Sequence, residues 1–207
     1  DYWKSGSYGS EVIGRTVYFV WNLDDVSDGT VDVDDETRLL PERGTVTLIT
    51  TNKTNQLDDS MRTWIHTHTL RESEAMLLLR EATLDLKDAA MQTSPEQLQL
   101  LGVLAKSINA TNAIEVGVYT GASALAIAEV LPSDGKLIAC DLTDEYLPIA
   151  TSAWEASGVT DKIDFKVGSA IDTLTNLLDD PRCGEFDFMY IDADKANSKN
   201  YYDLGLQ

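Results

Sequence analysis

Basic residues are scarce in this chain. Its 207 residues include 16 Lys and Arg against 35 Asp and Glu, a formal net charge of −19. A surface of that sign repels phosphate backbones and anionic lipid, so neither nucleic acid nor a membrane is expected as a partner. Cysteine is nearly absent, with only Cys140 and Cys183 present. Two cysteines do not make a disulfide scaffold, and a reducing, cytoplasmic setting is the simplest expectation. No run approaches the roughly 18 apolar residues of a membrane-spanning helix. The first residues, Asp1-Tyr-Trp-Lys-Ser5, lack the basic stretch and apolar core of a signal peptide. What is present is ample core material, since 43% of the residues are hydrophobic.

The chain divides by pattern. Residues 1–66 read as a β-rich, hairpin-like extension, with strands expected over Val12–Trp21 and Thr45–Thr51. The acidic stretch between them, from Asp24 to Glu36, fails the calcium-loop pattern at Val26 and Asp35 and reads as a solvated loop. His66 and His68 would share a face on a strand. With no third ligand evident, they read as a polar segment ahead of a helix. The four tryptophans read as packing residues.

From residue 67 the periodicity becomes helical and then alternates. A helix is expected over Glu74–Leu86. Ser94-Pro95-Glu96-Gln97 has the chemistry of a helix start, with a serine cap and a proline in the first turn. Strands follow at Ala113–Val118, Leu137–Asp141, Ile163–Val167 and Phe186–Asp192. Helices fall between them at Ala122–Leu131, Glu145–Ser157 and Ala170–Leu178. Such alternation means an α/β fold, a doubly wound parallel sheet with helices on both faces. The chain reaches Gln207 soon after the fourth of these strands. The sheet is therefore expected to be incomplete at the C-terminus, with an unpaired edge.

Two segments carry candidate chemistry. The first is Ile114-Glu-Val-Gly-Val-Tyr-Thr-Gly-Ala-Ser123, a strand, a glycine turn and a helix start, followed by Asp141 at the end of the next strand. Gly117 and Gly121 allow close approach to a ligand. Asp141 is placed to accept hydrogen bonds from ribose hydroxyls. The dinucleotide fingerprint G-x-G-x-x-G is not met, because Val118 and Tyr119 stand where a phosphate needs room. Glu115 at this turn suits a cationic ligand, such as the sulfonium and amino group of S-adenosylmethionine. The second segment is Tyr190-Ile-Asp192-Ala-Asp194-Lys195-Ala-Asn197. It offers Asp192 as an oxygen ligand for a hard cation and Lys195 as a candidate general base. A capped strand-to-helix corner accounts for the same residues without chemistry.

Three segments, in order and spacing, resemble the cation-dependent class I O-methyltransferases of the caffeoyl-CoA and catechol type. They are Met91-Gln-Thr-Ser-Pro-Glu-Gln97, Glu115-Val-Gly-x-x-x-Gly-x-Ser123 and Ile191-Asp-Ala-Asp-Lys-Ala-Asn197. The resemblance spans 67–207 and implies a Rossmann-like methyltransferase domain. It assigns S-adenosylmethionine to Thr93, Glu115, Gly117, Val118, Ser123, Asp141, Ala170 and Asp194. It makes Asp192 a ligand of Mg²⁺ or Ca²⁺, with Asp192 and Lys195 as the catalytic pair. It further implies a catechol or phenylpropanoid-like acceptor and, at full length, a homodimer. The family's remaining metal ligands fall beyond Gln207, so a truncated, catalytically incomplete cofactor-binding fragment is the main alternative. A nicotinamide-dependent oxidoreductase is the lesser one.

Overall fold

The computed structural model describes Val17–Val20 and residues 59–207. Five parallel strands form one sheet: β1 (Val17–Val20), β2 (Asn112–Val116), β3 (Lys136–Asp141), β4 (Ile163–Val167) and β5 (Phe188–Ile191). Their spatial order is β1-β5-β2-β3-β4. The chain builds outward from β2 through β3 to β4, then returns to lay β5 on the other side of β2. The reversal creates a switch point between β2 and β5, where α/β sheets open a crevice at the carboxyl ends of their strands.

The strands after residue 67 fall within two residues of their expected bounds. One expectation is corrected. The edge of β5 is not bare, because Val17–Val20 pairs with it in parallel, Val17 opposite Phe188 and Val20 opposite Ile191. A short parallel strand satisfies ladder groups that an open edge would leave to water. Residues 21–58 of the expected extension, including Thr45–Thr51 and the acidic loop, lie outside the described residues, as do residues 1–16, and its last residues, 59–66, are helical and not β-rich.

The described residues contain seven α-helices: α1 (Asp59–Thr69), α2 (Glu74–Leu84), α3 (Pro95–Ser107), α4 (Ala122–Val130), α5 (Leu147–Ala156), α6 (Ala170–Leu177) and α7 (Ser198–Gly205). The strand residues alternate between two cores. Ala113, Leu137, Ala139, Phe188 and Tyr190 face the cluster built with α2 to α5. Ile114, Val116, Ile138, Cys140, Met189 and Ile191 face the cluster built with α6 and α7. Both faces are covered, which is why these strands read as nearly continuous apolar runs. Complete burial of a side chain such as Leu125, Leu137 or Phe188 stabilises the fold by roughly 1.5–3 kcal/mol.

Local chemistry sets the helix starts. The Ser94 hydroxyl accepts from the Gln97 amide at 3.3 Å, and Pro95 occupies the first turn of α3. Ser73 and Ser169 cap α2 and α6 in the same way. The histidine pair departs from expectation because it lies inside α1. On a helix, residues two apart do not share a face. His66 Nε2 meets Glu96 Oε1 at 2.6 Å, whereas His68 stacks on Trp64 with centroids 4.6 Å apart. Trp64 is itself 58% exposed and is therefore not a core packing residue, unlike Trp154 at 2%.

Gly121 is held at φ 85°, and its carbonyl accepts from the Trp154 indole at 3.1 Å. A Cβ there would lie 2.7 Å from the Ala150 Cβ and 2.8 Å from the Trp154 ring. Gly121→Ala is expected to lower the unfolding free energy by about 2 kcal/mol or more, through strain and overpacking together. A urea titration of both proteins, read by Trp fluorescence, checks this. An unchanged midpoint would mean that the turn relaxes freely.

Candidate functional site

The carboxyl ends of β2, β3 and β5 converge on one turn. β2 ends at Val116, and the chain then makes the bend Gly117–Gly121 before α4. Three residues of this bend have positive φ: Gly117 at 94°, Tyr119 at 52° and Gly121 at 85°. Gly117 is where a side chain is forbidden outright. A Cβ would fall 2.3 Å from the Asp192 carbonyl oxygen, so the end of β5 packs directly on the bend.

Asp141, at the end of β3, fixes the shape of the bend. Its Oδ2 accepts the backbone N–H groups of Val118 and Tyr119, each at 2.9 Å, and its Oδ1 accepts from Thr143 at 3.2 Å. A carboxylate has about four lone-pair sites, so the half-buried Asp141 keeps acceptor capacity for ligand hydroxyls. The next residue, Leu142, is 73% exposed and offers an apolar surface beside the carboxylate. Gly168 donates to the Asp141 carbonyl at 2.8 Å, which brings the start of α6, with the buried Ala170, to the same corner.

Glu115 lies beneath the bend and is fully buried. The Ser123 hydroxyl donates to its Oε1, while its Oε2 has no hydrogen-bond partner among the described residues. Desolvation pushes the carboxyl up to about 8, the Ser123 hydrogen bond opposes that rise, and the charges of Asp192 and Asp141 add to it. Ser123 and Val118 are buried with it.

The end of β5 brings in the second cluster. Lys195 Nζ lies 3.1 Å from Asp192 Oδ1, and the Tyr190 hydroxyl donates to Asp192 Oδ2 at 3.0 Å. Asp194 faces another way. It caps the short 3₁₀ turn Lys195–Asn197, accepts from the Asn197 amide and side chain, and takes the Tyr201 hydroxyl. These bonds, that from Tyr201 foremost, hold its carboxyl below the usual range. Thr93 hydrogen-bonds the Tyr190 phenol, so it borders the β5 corner.

Sequence reasoning missed several neighbours. Tyr119 meets Tyr146 edge-on at 4.8 Å, and the Tyr146 hydroxyl donates to Asp88 at 2.9 Å. Gln97 donates to the Tyr190 hydroxyl at 2.9 Å. Only the residue types signalled these contacts, because their partners are distant in sequence.

The arrangement fits a cationic nucleoside. A glycine bend, a terminal carboxylate with spare capacity and an adjacent apolar residue suit the nucleoside. The buried Glu115 oxygen that lacks a partner suits positive charge nearby. The described residues do not fit a metal ion on their own. Among them no three His, Cys, Asp or Glu side chains gather as ligands, and Asp192 is already engaged through both oxygens.

The family model described as O-methyltransferase matches residues 66–207. The chain belongs to the O-methyltransferase family. Caffeoyl-CoA O-methyltransferase 1 of Eucalyptus globulus is 45% identical over 132 residues, covering 64% of this chain and 54% of that protein. Caffeoyl-CoA O-methyltransferase of Petroselinum crispum is 47% identical over 133 residues, covering 64% and 55%. The O-methyltransferase TomG from Streptomyces achromogenes, solved in complex with SAM, superposes with a TM-score of 0.64 at 29% identity. That match covers 71% of this chain and 66% of TomG. An O-methyltransferase from Bacillus cereus, in complex with SAH, gives a TM-score of 0.64 at 25% identity, with the same coverage. The chain thus spans about half the length of the caffeoyl-CoA relatives it matches.

The raised Glu115 carboxyl links stability to pH. The folded state holds this proton up to about pH 8, whereas an unfolded carboxyl releases it near 4.5. Between those values the folded state binds more protons, so stability falls as pH rises, and the loss is complete above the folded value. Glu115→Gln is expected to flatten that decline, with its advantage over the parent growing from pH 5 to pH 8. Urea midpoints across this range check it. A constant difference at every pH would show that Glu115 does not carry the linkage.

Proposed function

We propose that this chain provides the S-adenosylmethionine-binding part of an O-methyltransferase that acts on a hydroxyl of a catechol or phenylpropanoid-type acceptor. The observation that carries this reading is the meeting of two features at the switch point: the Asp141-held glycine bend and the Asp192–Lys195 pair. Family membership and the caffeoyl-CoA O-methyltransferase relatives support the acceptor class. Both cysteines are free thiols, and no described helix is long and apolar enough to cross a membrane, in keeping with a cytoplasmic enzyme. A homodimer belongs to the same reading for the whole protein.

When bound, S-adenosylmethionine would supply a methyl group activated by its sulfonium. Asp141 would hold the ribose hydroxyls while keeping the bend closed through Val118 and Tyr119. Leu142 and Ala170 would flank the base, and Gly117 would let the backbone approach. Ser123 and the buried Glu115 would support the amino-acid end from beneath. Asp194 and Thr93 would border the cofactor. At the acceptor, Lys195 would take the hydroxyl proton at Nζ, and Asp192 would hold the charge of the resulting ammonium. The rate enhancement then rests on orientation and on a site that excludes water. In a cation-assisted reaction Asp192 is the described residue suited to the ion. Its other ligands would have to come from outside the described residues, so no step here runs through a metal.

S-adenosylhomocysteine is expected to raise the thermal midpoint of this chain, since a ligand of the native state stabilises it. Asp141→Asn is expected to weaken that affinity about tenfold or more, because a charged acceptor and the bend it holds are lost together. Calorimetric titration of both proteins measures this. Transfer of a labelled methyl group to catechol with Mg²⁺ present tests the reaction itself. Binding without transfer would favour a cofactor-binding fragment, and no binding would overturn the proposal.

A further inference from the structure

A partly buried hydrogen-bond chain runs from α3 to the acceptor side of the site. The Gln97 Nε2 donates to the Tyr190 hydroxyl at 2.9 Å, and that hydroxyl donates to Asp192 Oδ2 at 3.0 Å. Thr93, four residues ahead of Gln97, also bonds the phenol. Tyr190 is only 1% exposed. Its proton has one carboxylate to go to, because the groups from the α3 side fill the acceptor positions of its oxygen. On the opposite oxygen, Asp192 Oδ1 faces the half-exposed Lys195.

A carboxylate gripped at one oxygen by a buried phenol and at the other by a lysine has little rotational freedom. Among the described residues, removing the phenol would leave the Asp192 carboxylate held from the Lys195 side alone. The proposed reaction makes no use of Gln97 or Tyr190, yet both lie where the Asp192 orientation is decided. Burial keeps the phenol protonated, and the Asp192 charge does the same.

We infer that Tyr190 and Gln97 are positioning residues, which orient the Asp192 carboxylate toward the acceptor hydroxyl and Lys195 from behind. This rests on the reading of Asp192 and Lys195 as the pair that serves the acceptor. It also gives a physical task to Met91-Gln-Thr-Ser-Pro-Glu-Gln97 beyond starting a helix. That segment delivers Thr93 and Gln97 to the phenol and so connects α3 to the end of β5.

Three variants of the full chain test it: Tyr190→Phe, Gln97→Leu and Gln97→Glu. Phenylalanine keeps the ring and loses the donor. Glutamate offers the phenol a rival acceptor and should draw its proton away from Asp192, whereas leucine removes only the Gln97 amide. The first readout is the crystal structure of each variant with S-adenosylhomocysteine. In Tyr190→Phe and Gln97→Glu the Asp192 carboxylate is expected to rotate from its parent orientation, with S-adenosylhomocysteine affinity within twofold of the parent. The second is methyl transfer to catechol at saturating cofactor. There kcat is expected to fall about tenfold in both variants, with the KM for cofactor unchanged and Gln97→Leu the mildest of the three. Tyr190→Phe added to Asp192→Ala should cost nothing further, as for residues that act as one unit.

An Asp192 carboxylate that keeps its orientation without the phenol overturns the inference, whatever the activity. So does a Tyr190→Phe kcat within twofold of the parent when Asp192→Ala abolishes transfer. If the carboxylate rotates as expected but Asp192→Ala transfers methyl groups normally, positioning stands and the assigned role of Asp192 fails.

Discussion

The close packing of Gly117 against the Asp192 backbone is the contact on which the rest of the site depends. A single Cβ at position 117 would fall 2.3 Å from the Asp192 carbonyl oxygen. With hydrogen there instead, the first bend of the nucleotide-like unit can rest on the end of β5. The ladder continues into this contact, since the Asp192 amide donates to the Val116 carbonyl at 2.8 Å and the Gly117 amide to the Cys140 carbonyl at 2.9 Å. The ends of β2, β3 and β5 are thereby joined by backbone bonds at one level. Asp141 and Asp192 are then placed by the sheet itself, not by loops of independent conformation.

A glycine bend of this kind is costly unless something holds it. The positive φ of Tyr119 is stored strain, and fixing Gly117 and Gly121 costs more chain entropy than fixing any other residue type. The compensation comes from the neighbours. Asp141 takes two bend amides, the Trp154 indole takes the Gly121 carbonyl, and the Thr83 hydroxyl meets Thr120 at 3.0 Å. These partners belong to β3, α5 and α2. The bend is therefore a product of the whole α2–α5 face, and its rigidity depends on that core being intact.

How much of this was legible in the sequence follows from the range of each interaction. Helix starts were legible because their chemistry is local. Ser94 caps a position three residues away, and the Pro95 ring favours the first turn wherever the chain is placed. Strands β2, β3 and β5 were legible because both faces are buried, which leaves apolar runs, and β4 because its apolar residues alternate with Asp164 and Lys166. The Gly117–Gly121 bend and Asp141 could be read together because a strand, a turn and a helix of this length permit few geometries. The pairing of β1 with β5 was not legible, since nothing in Val17–Val20 specifies a partner some 170 residues away. The histidine pair misled because a polar stretch without an apolar stripe hides a helix. His66 instead finds Glu96 across the gap between α1 and α3. Tyr190 opened the second candidate segment without a role of its own, and only the fold puts Gln97 within reach of its hydroxyl.

The acidic composition acquires a specific meaning at this edge of the sheet. Most of the 35 acidic side chains can be solvated wherever they lie. Glu115 cannot, and the groups whose charges act on it are acidic: Asp192 and Asp141 both raise its proton affinity. Across the sheet it is paired with Ala139 and Tyr190, neither of which is basic. Among the described residues, the charges that act on this deepest carboxyl are thus both negative. The cheapest remedy in the free protein is to keep that carboxyl protonated, as its value of about 8 implies. A bound cation would provide the other remedy, relieving the crowding of Asp141 and Asp192 as well. The same electrostatics that make this corner costly to fold therefore favour a positively charged ligand over a phosphate-bearing one. The shape of the glycine bend, with Val118 and Tyr119 filling the space a phosphate would need, points the same way.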